Sequence, residues 1–241
     1  MLLSSVRMFR QMVREIAGEA MMLLLCVAPI LAGAFFKFGM PIANSMIMKK
    51  MGYVDCLVPY YEFCSWLLAM LTGMLFAFVG GLVVLGEIDD RITAYMCVTP
   101  AGVKGYMLSR IVYPGIVSGL VAMIVIPVFS LVHLDVVTLL VMVLSSVFSG
   151  MITSMQVVSI STNKVEGMAV GKLAGGFGMT FFIPFVITGK IQYVFAMFPM
   201  FWVGKYEMHK NVWQILIAVV LFGVWWYGLY RKYLKKLVEK G

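Results

Sequence analysis

Apolar residues run along this chain in six long blocks, parted by short stretches where charged and polar residues collect. Each block approaches the ~18–20 residues that a helix needs to cross a hydrocarbon layer roughly 30 Å thick. Read at their polar edges, the blocks predict spanning helices over 20–36, 63–85, 111–132, 136–160, 168–189 and 212–230. Pro29 and Pro184 are expected kinks in the first and fifth. The turn holding His133 and Asp135 forces an immediate return between the third and fourth. Ahead of the first block, residues 1–19 set Leu2, Leu3, Val6, Phe9, Val13 and Ile16 on one helical face and Arg7, Arg10 and Arg14 largely on the other, the pattern of a helix lying in a membrane interface. The mixed stretch 37–62, with Lys37, Lys49, Lys50, Asp55 and Glu62, is too polar to span. Residues 191–203, IQYVFAMFPMFWV, are too short to cross and too apolar for a solvated loop, which predicts a re-entrant or interfacial hairpin broken at Pro199. The fold expected is an all-α polytopic membrane protein with one transmembrane domain over 1–241.

Composition agrees. The chain is 62% hydrophobic and 12% charged, with a mean hydropathy of +0.98, too apolar to give a soluble fold its polar skin. The net charge of +8 would suit nucleic acid, but thirteen of the nineteen Lys and Arg fall in segments that the topology places on one side. That asymmetry is the positive-inside bias, and it puts both termini in the cytoplasm of an inner-membrane protein with no nucleic-acid partner. Trp213, Trp225, Trp226, Tyr227 and Tyr230 supply an aromatic belt to the last span. The first apolar block lacks a small-residue cleavage site, so it is expected to stay as a helix. Cys26, Cys56, Cys64 and Cys97 show no metal spacing and read as packing residues, with an extracytoplasmic bond between Cys56 and Cys64 as the other reading.

Catalytic chemistry is hard to build from this sequence. His133 and His209 have no carboxylate or second histidine at metal-ligand spacing, and no HExxH, GxSxG or GxxxxGK[ST] motif occurs. If ATP is used, another chain binds it. Ionisable groups within spans would mark an ion relay or voltage sensor, but Lys172 and Glu62 lie near span ends, and Gln156 is the deepest strongly polar side chain. Gln156 reads first as an interhelical hydrogen-bonding group and second as a substrate contact. The pairs Gly115 with Gly119 and Gly171 with Gly175 suit close helix packing within the monomer, and the 22 methionines suit gap filling. The informative stretch is GEIDDRITAYMCVTPAGVKGYMLSRI, residues 86–111. It can form a short helix from Asp90 to Met96, is interrupted at Thr99-Pro100, and admits the third span only after Arg110.

An acidic residue ending span two, a short amphipathic helix, a Thr-Pro step, then a tyrosine and a basic residue entering span three: this order resembles the permeases of type-2 ATP-binding-cassette (ABC) exporters. The matching positions are Glu87, Asp90, Arg91, Thr99, Pro100, Tyr106 and Arg110. The layout of interfacial helix, six spans and broken apolar hairpin is similar too. The resemblance implies that residues 86–110 form a cytoplasmic coupling helix seated on an ATPase subunit, with Glu87, Asp89, Asp90, Arg91, Tyr95, Thr99 and Pro100 at the contact, Asp90 or Arg91 forming ion pairs there, and the amino-terminal helix lying alongside. It also implies two ATPase copies holding ATP and Mg²⁺, no cofactor on this chain, a second permease subunit, identical or paralogous, and a path between permeases with residues 191–203 shaping the outer gate. Many members carry glycine near the position of Arg91, so local loop geometry does not transfer.

A secondary transporter or channel should show inverted repeats or mid-membrane charges, and neither is evident. A membrane enzyme lacks its acid, base and metal ligands here. A non-transporting immunity or assembly factor with the same fold stays open. Peptides, drugs and lipids are all handled by the family. The aromatic segment Phe195 to Trp202, with Phe198 and Phe201 beside Gln156 as pathway residues, favours a hydrophobic or amphipathic cargo.

Overall fold

A computed structural model describes residues 2–51, 57–90, 92 and 102–240, and among these every regular element is helical. Helix α1 (Leu2–Gly18) is followed by α2 (Ala20–Ala34), a π-turn (Phe35–Gly39) and α3 (Met40–Met51). A 3₁₀ turn (Val58–Tyr60) leads into α4 (Tyr61–Asp89). After the connecting segment come α5 (Gly102–Met107), a second π-turn (Leu108–Val112) and α6 (Tyr113–Phe129), then α7 (Val136–Ile160) and α8 (Lys164–Met179). A 3₁₀ turn (Thr180–Phe182), α9 (Ile183–Val186), a 3₁₀ stretch (Lys190–Met197) and α10 (Pro199–His209) precede the last helix, α11 (Val212–Lys240). Six stretches are long and apolar enough to cross a membrane: Ala20–Lys50, Val58–Asp89, Gly105–Phe129, Val136–Ile160, Lys164–Val186 and Val212–Lys236. Six crossings return both chain ends to one face, called here the terminal face.

Several span boundaries differ from the sequence reading, two of them where a charged side chain enters a helix. The first span does not end at Phe36: the helix continues through a π-turn to Met51, carrying Lys37 with it. Lys37 is tolerated because its ammonium reaches the Val128 carbonyl, 2.6 Å away in the last turn of α6. A helix from Ala20 to Lys50 is about 46 Å long at ~1.5 Å per residue, so its polar far end projects beyond the hydrocarbon layer. The third span begins before Arg110, not after it, and Arg110 lies inside the helix in the π-turn.

Span two is the hub. Two-thirds of its apolar window (67%) is buried within the protein, against 17% for span one and 11% for span six, which turn most of their surface outward. The hub depends on Gly73 and Gly150. A methyl group added at Gly73 would fall 2.0 Å from the Ser146 carbonyl oxygen, and one at Gly150 would fall 2.3 Å from the Gly73 oxygen. Spans two and four therefore touch backbone to backbone, the contact that small residues permit in lipid-embedded bundles. The two glycine pairs also pack within the chain: Gly115 and Gly119 against Met151 and Val147, and Gly171 against Phe78. Around this seam Trp66, Phe181, Phe177, Met142, Met155, Met200 and Tyr233 form the main core, with Trp66 stacked on Phe181 at 4.4 Å.

Candidate coupling site at the terminal face

Glu87 lies two residues before the end of α4 and is 4% exposed; Arg110, in the π-turn that opens span three, is wholly buried. Arg110 Nη2 donates to Glu87 Oε1, and its Nε donates to Glu87 Oε2 at 3.2 Å, which makes the pair bidentate. Tyr106, one helical turn earlier, donates its hydroxyl to the same Oε2 at 2.6 Å. The third face of the guanidinium reaches α1, where Arg110 Nη1 donates to the Met8 carbonyl at 2.6 Å. One buried cation thus fastens the end of span two, the start of span three and the amino-terminal helix. The close approach needs Gly80, where a methyl group would lie 2.6 Å from the Arg110 carbonyl oxygen. π-turns widen a helix by one residue and often sit at functional sites; this one carries the guanidinium that makes the clamp.

The segment between the two arms, 91–101, contains Arg91, Tyr95, Thr99 and Pro100, and the expected coupling helix from Asp90 to Met96. Apart from Asp90 and Ile92, these positions lie outside the described residues. Asp89 and Asp90 are exposed at the end of α4. Asp89 Oδ2 accepts the Lys164 backbone N–H at 3.0 Å, so the carboxylate sits at the positive end of α8. Lys164 Nζ bonds both oxygens of Glu19, at 2.8 and 2.6 Å, tying the turn after span four to the α1–α2 junction. Lys236 from α11 donates to the Val158 and Ser161 carbonyls. Five segments are stitched together on this face by polar bonds.

Helix α1 rests on the bundle through Met8 and Met12, with Phe9 edge-on to Tyr113 at 5.6 Å, while Arg7, Arg10 and Arg14 are exposed. Val6 and Val13, assigned by periodicity to the apolar face, are 54% and 47% exposed, because the methionine stripe takes the protein-facing side. Glu15 on this helix has its carboxyl pushed above the usual carboxylate range. Desolvation against the bundle is the chief cause; Arg110 opposes it, and Glu87 and Asp90 reinforce it.

The residues assigned to a pathway do not form one group. Gln156 lies in the last turns of α7, near the terminal face, with its Oε1 buried and without a hydrogen-bond partner. It is therefore not at mid-span. Phe195, Phe198 and Phe201 sit at the other end, in the hairpin after span five. Phe198 stacks on Trp225 and meets Phe177 edge-on, whereas Phe201 is fully buried as core. The hairpin runs on beyond Val203, as α10 continues to His209. Trp202 and Trp225 pin it by donating to the Ala196 and Met197 carbonyls at 2.8 and 2.9 Å.

A family model described as fluoroquinolones export permease protein Rv2686c-like matches residues 12–230, which hold Glu87 and Arg110, the first five spans, the hairpin and most of the sixth span. The chain belongs to this family. It is a multi-pass export permease of the ABC-2 type. No curated protein and no solved structure matches it.

In the sequence of this permease both arms of the clamp stand out as motif positions, while their bond to each other does not. Opposite charges at the two inner ends of apolar helices were the available signal. Glu87, expected at a partner's surface, instead faces inward on Arg110. On the face opposite the termini, a cleft of about 360 Å³ is lined by Glu62, His133, Asp135, Thr138, Tyr206 and Lys210. Cys26 and Cys64 are free thiols; Cys56 lies outside the described residues.

Proposed function

We propose that this permease is the membrane subunit of an ATP-driven exporter that carries hydrophobic or amphipathic aromatic compounds, fluoroquinolones among them, out of the cytoplasm. The terminal face is cytoplasmic, in keeping with the thirteen Lys and Arg assigned to that side. A separate ATPase, which holds the ATP and Mg²⁺, docks there on the segment 91–101, exposed Asp89 and Asp90, and α1. Two ATPase copies and a second permease, identical or paralogous, complete the transporter. The observation that carries this reading is the Arg110 clamp. A force applied to the segment between Glu87 and Arg110 cannot pry spans two and three apart without separating a buried ion pair, so it moves both spans and α1 together, as a rigid lever does.

Reversing the charges of Asp90 and Arg91 together tests the docking. The permease should fold and insert normally, and the ATPase should still turn over, but export in inverted vesicles should fall to background. Unchanged export in that variant refutes the assignment, as does purification of the permease from its native membrane with no ATPase attached.

A further inference from the structure

The hairpin between spans five and six holds a cation with nothing to neutralise it. Lys205 on α10 is 8% exposed and, among the described residues, makes no ion pair or hydrogen bond. Its ammonium instead lies 5.2 Å from the centre of the Tyr193 ring and 6.0 Å from that of Phe201. Ring faces offset only part of the cost of stripping water from an ammonium, and a carboxylate would offset more. A largely buried lysine whose ammonium lies against ring faces, lacks an anion and still reaches solvent has the form of a subsite open to one. The rings differ in exposure: Phe201 is fully buried, while Tyr193 is 52% exposed. In the same hairpin Gln192 is 8% exposed, and its Oε1 is buried with no donor.

We infer that Lys205 and Tyr193, backed by the buried Phe201 ring, form a binding subsite for a planar aromatic carboxylate, with the ammonium taking the carboxylate and the exposed Tyr193 ring taking the aromatic plane. The inference rests on the export reading and narrows its substrate class to aromatic acids. Fluoroquinolones have that chemistry, a carboxylate attached to a fused aromatic ring. A lipid phosphate is a poorer occupant, because it brings no aromatic plane for the exposed Tyr193 ring to take.

Binding to the full-length permease in nanodiscs of zwitterionic lipid tests this through the anisotropy of the fluoroquinolone's own fluorescence, comparing the acid with its methyl ester. The wild type should bind the acid at least about tenfold more tightly than the ester, the scale of one charge-assisted hydrogen bond in a buried site. Lys205→Gln should erase that preference while leaving ester binding unchanged, and Lys205→Arg should keep it. Tyr193→Leu should weaken acid and ester alike. A lysine that merely braces the hairpin would not distinguish the two ligands. An intact preference in Lys205→Gln, absence of acid binding by the wild type, or acid binding abolished by anionic lipid in the nanodisc would each overturn the inference. ATP-dependent transport is measured separately, in proteoliposomes with the co-purified ATPase. Transport with a Lys205-independent preference sinks the subsite and spares the export reading; a Lys205-dependent preference without transport does the reverse.

Discussion

Replacing Glu87 by Met removes the countercharge of Arg110 while keeping a side chain of similar length. The guanidinium is wholly buried and the Glu87 side chain is 5% exposed, so solvent does not relieve the loss. Removing one member of such a pair leaves an uncompensated buried charge, and the expected destabilisation is about 3–5 kcal/mol. Arg110→Met removes the other member and also the bond to Met8, with a similar cost. In the double variant Glu87→Met, Arg110→Met no charge is stranded. It should be more stable than the sum of the two single losses predicts by at least ~2 kcal/mol. Unfolding of the detergent-purified protein by a denaturing detergent, followed through tryptophan fluorescence, reads all three. Exported substrate per ATP consumed then separates stability from coupling: the double variant should fold and support hydrolysis yet export little, because α1 and the two spans are no longer one body. Strict additivity within about 0.5 kcal/mol, or full export by the double variant, would show that the clamp carries neither role.

Three further outcomes follow from the geometry. Gly73→Leu should prevent stable assembly, because any side chain there meets the Ser146 backbone; Gly176→Ala, where nothing lies within 4 Å, should change stability by no more than ~0.5 kcal/mol, and both are read by yield and thermal midpoint. The Glu15 carboxyl is raised in the folded protein, so the fold binds more protons at this site than the unfolded chain. That contribution is present below the ordinary value of 4.5 and is lost as pH climbs from there through the raised folded value. Glu15→Gln should remove this fall from the stability–pH curve, and an unchanged curve would refute the argument. Lys164→Ala breaks a partly exposed ion pair with Glu19 and should cost under ~1 kcal/mol in unfolding titrations, whereas Asp89→Ala, by removing the acceptor of the Lys164 N–H at the start of α8, should cost about 1 kcal/mol.

The spans were legible because hydropathy has to match bilayer thickness whatever the tertiary packing. What escaped depended on contacts between segments distant in the chain. Lys37 looked like the end of a span because a lysine has no place in lipid unless something accepts its bonds, and its acceptor is a carbonyl 91 residues away. Arg110 looked like a polar flank for the same reason, its partner being Glu87 on the far side of the connecting segment. Gly73 and Gly150 lie outside the four-residue glycine spacing that a pattern search rewards, since each faces a glycine or serine on another helix rather than its own neighbour. The methionine stripe of α1 was masked by the valines beside it, because periodicity tells an apolar side from a polar one but not which of two apolar edges meets protein.

The distribution of burial gives the coupling argument its direction. Span two is held on several sides, by span four at Gly73, by span five at Phe78 and by Arg110 at its end, while spans one and six expose most of their length. A push delivered at the terminal face therefore enters the most constrained helix first. Within the bundle its displacement is shared by spans three, four and five, which all pack on it, with span four also packing on the other two. The loosely held spans one and six are then the surfaces that can change neighbours at little cost, and their apolar exposure suits lipid or a second permease equally. If the clamp is the input, crosslinks between cysteines placed on span one of two permease copies should form at a rate that depends on ATP in the wild type and not in Glu87→Met, Arg110→Met. Equal rates in both would mean that the motion enters the membrane by another route.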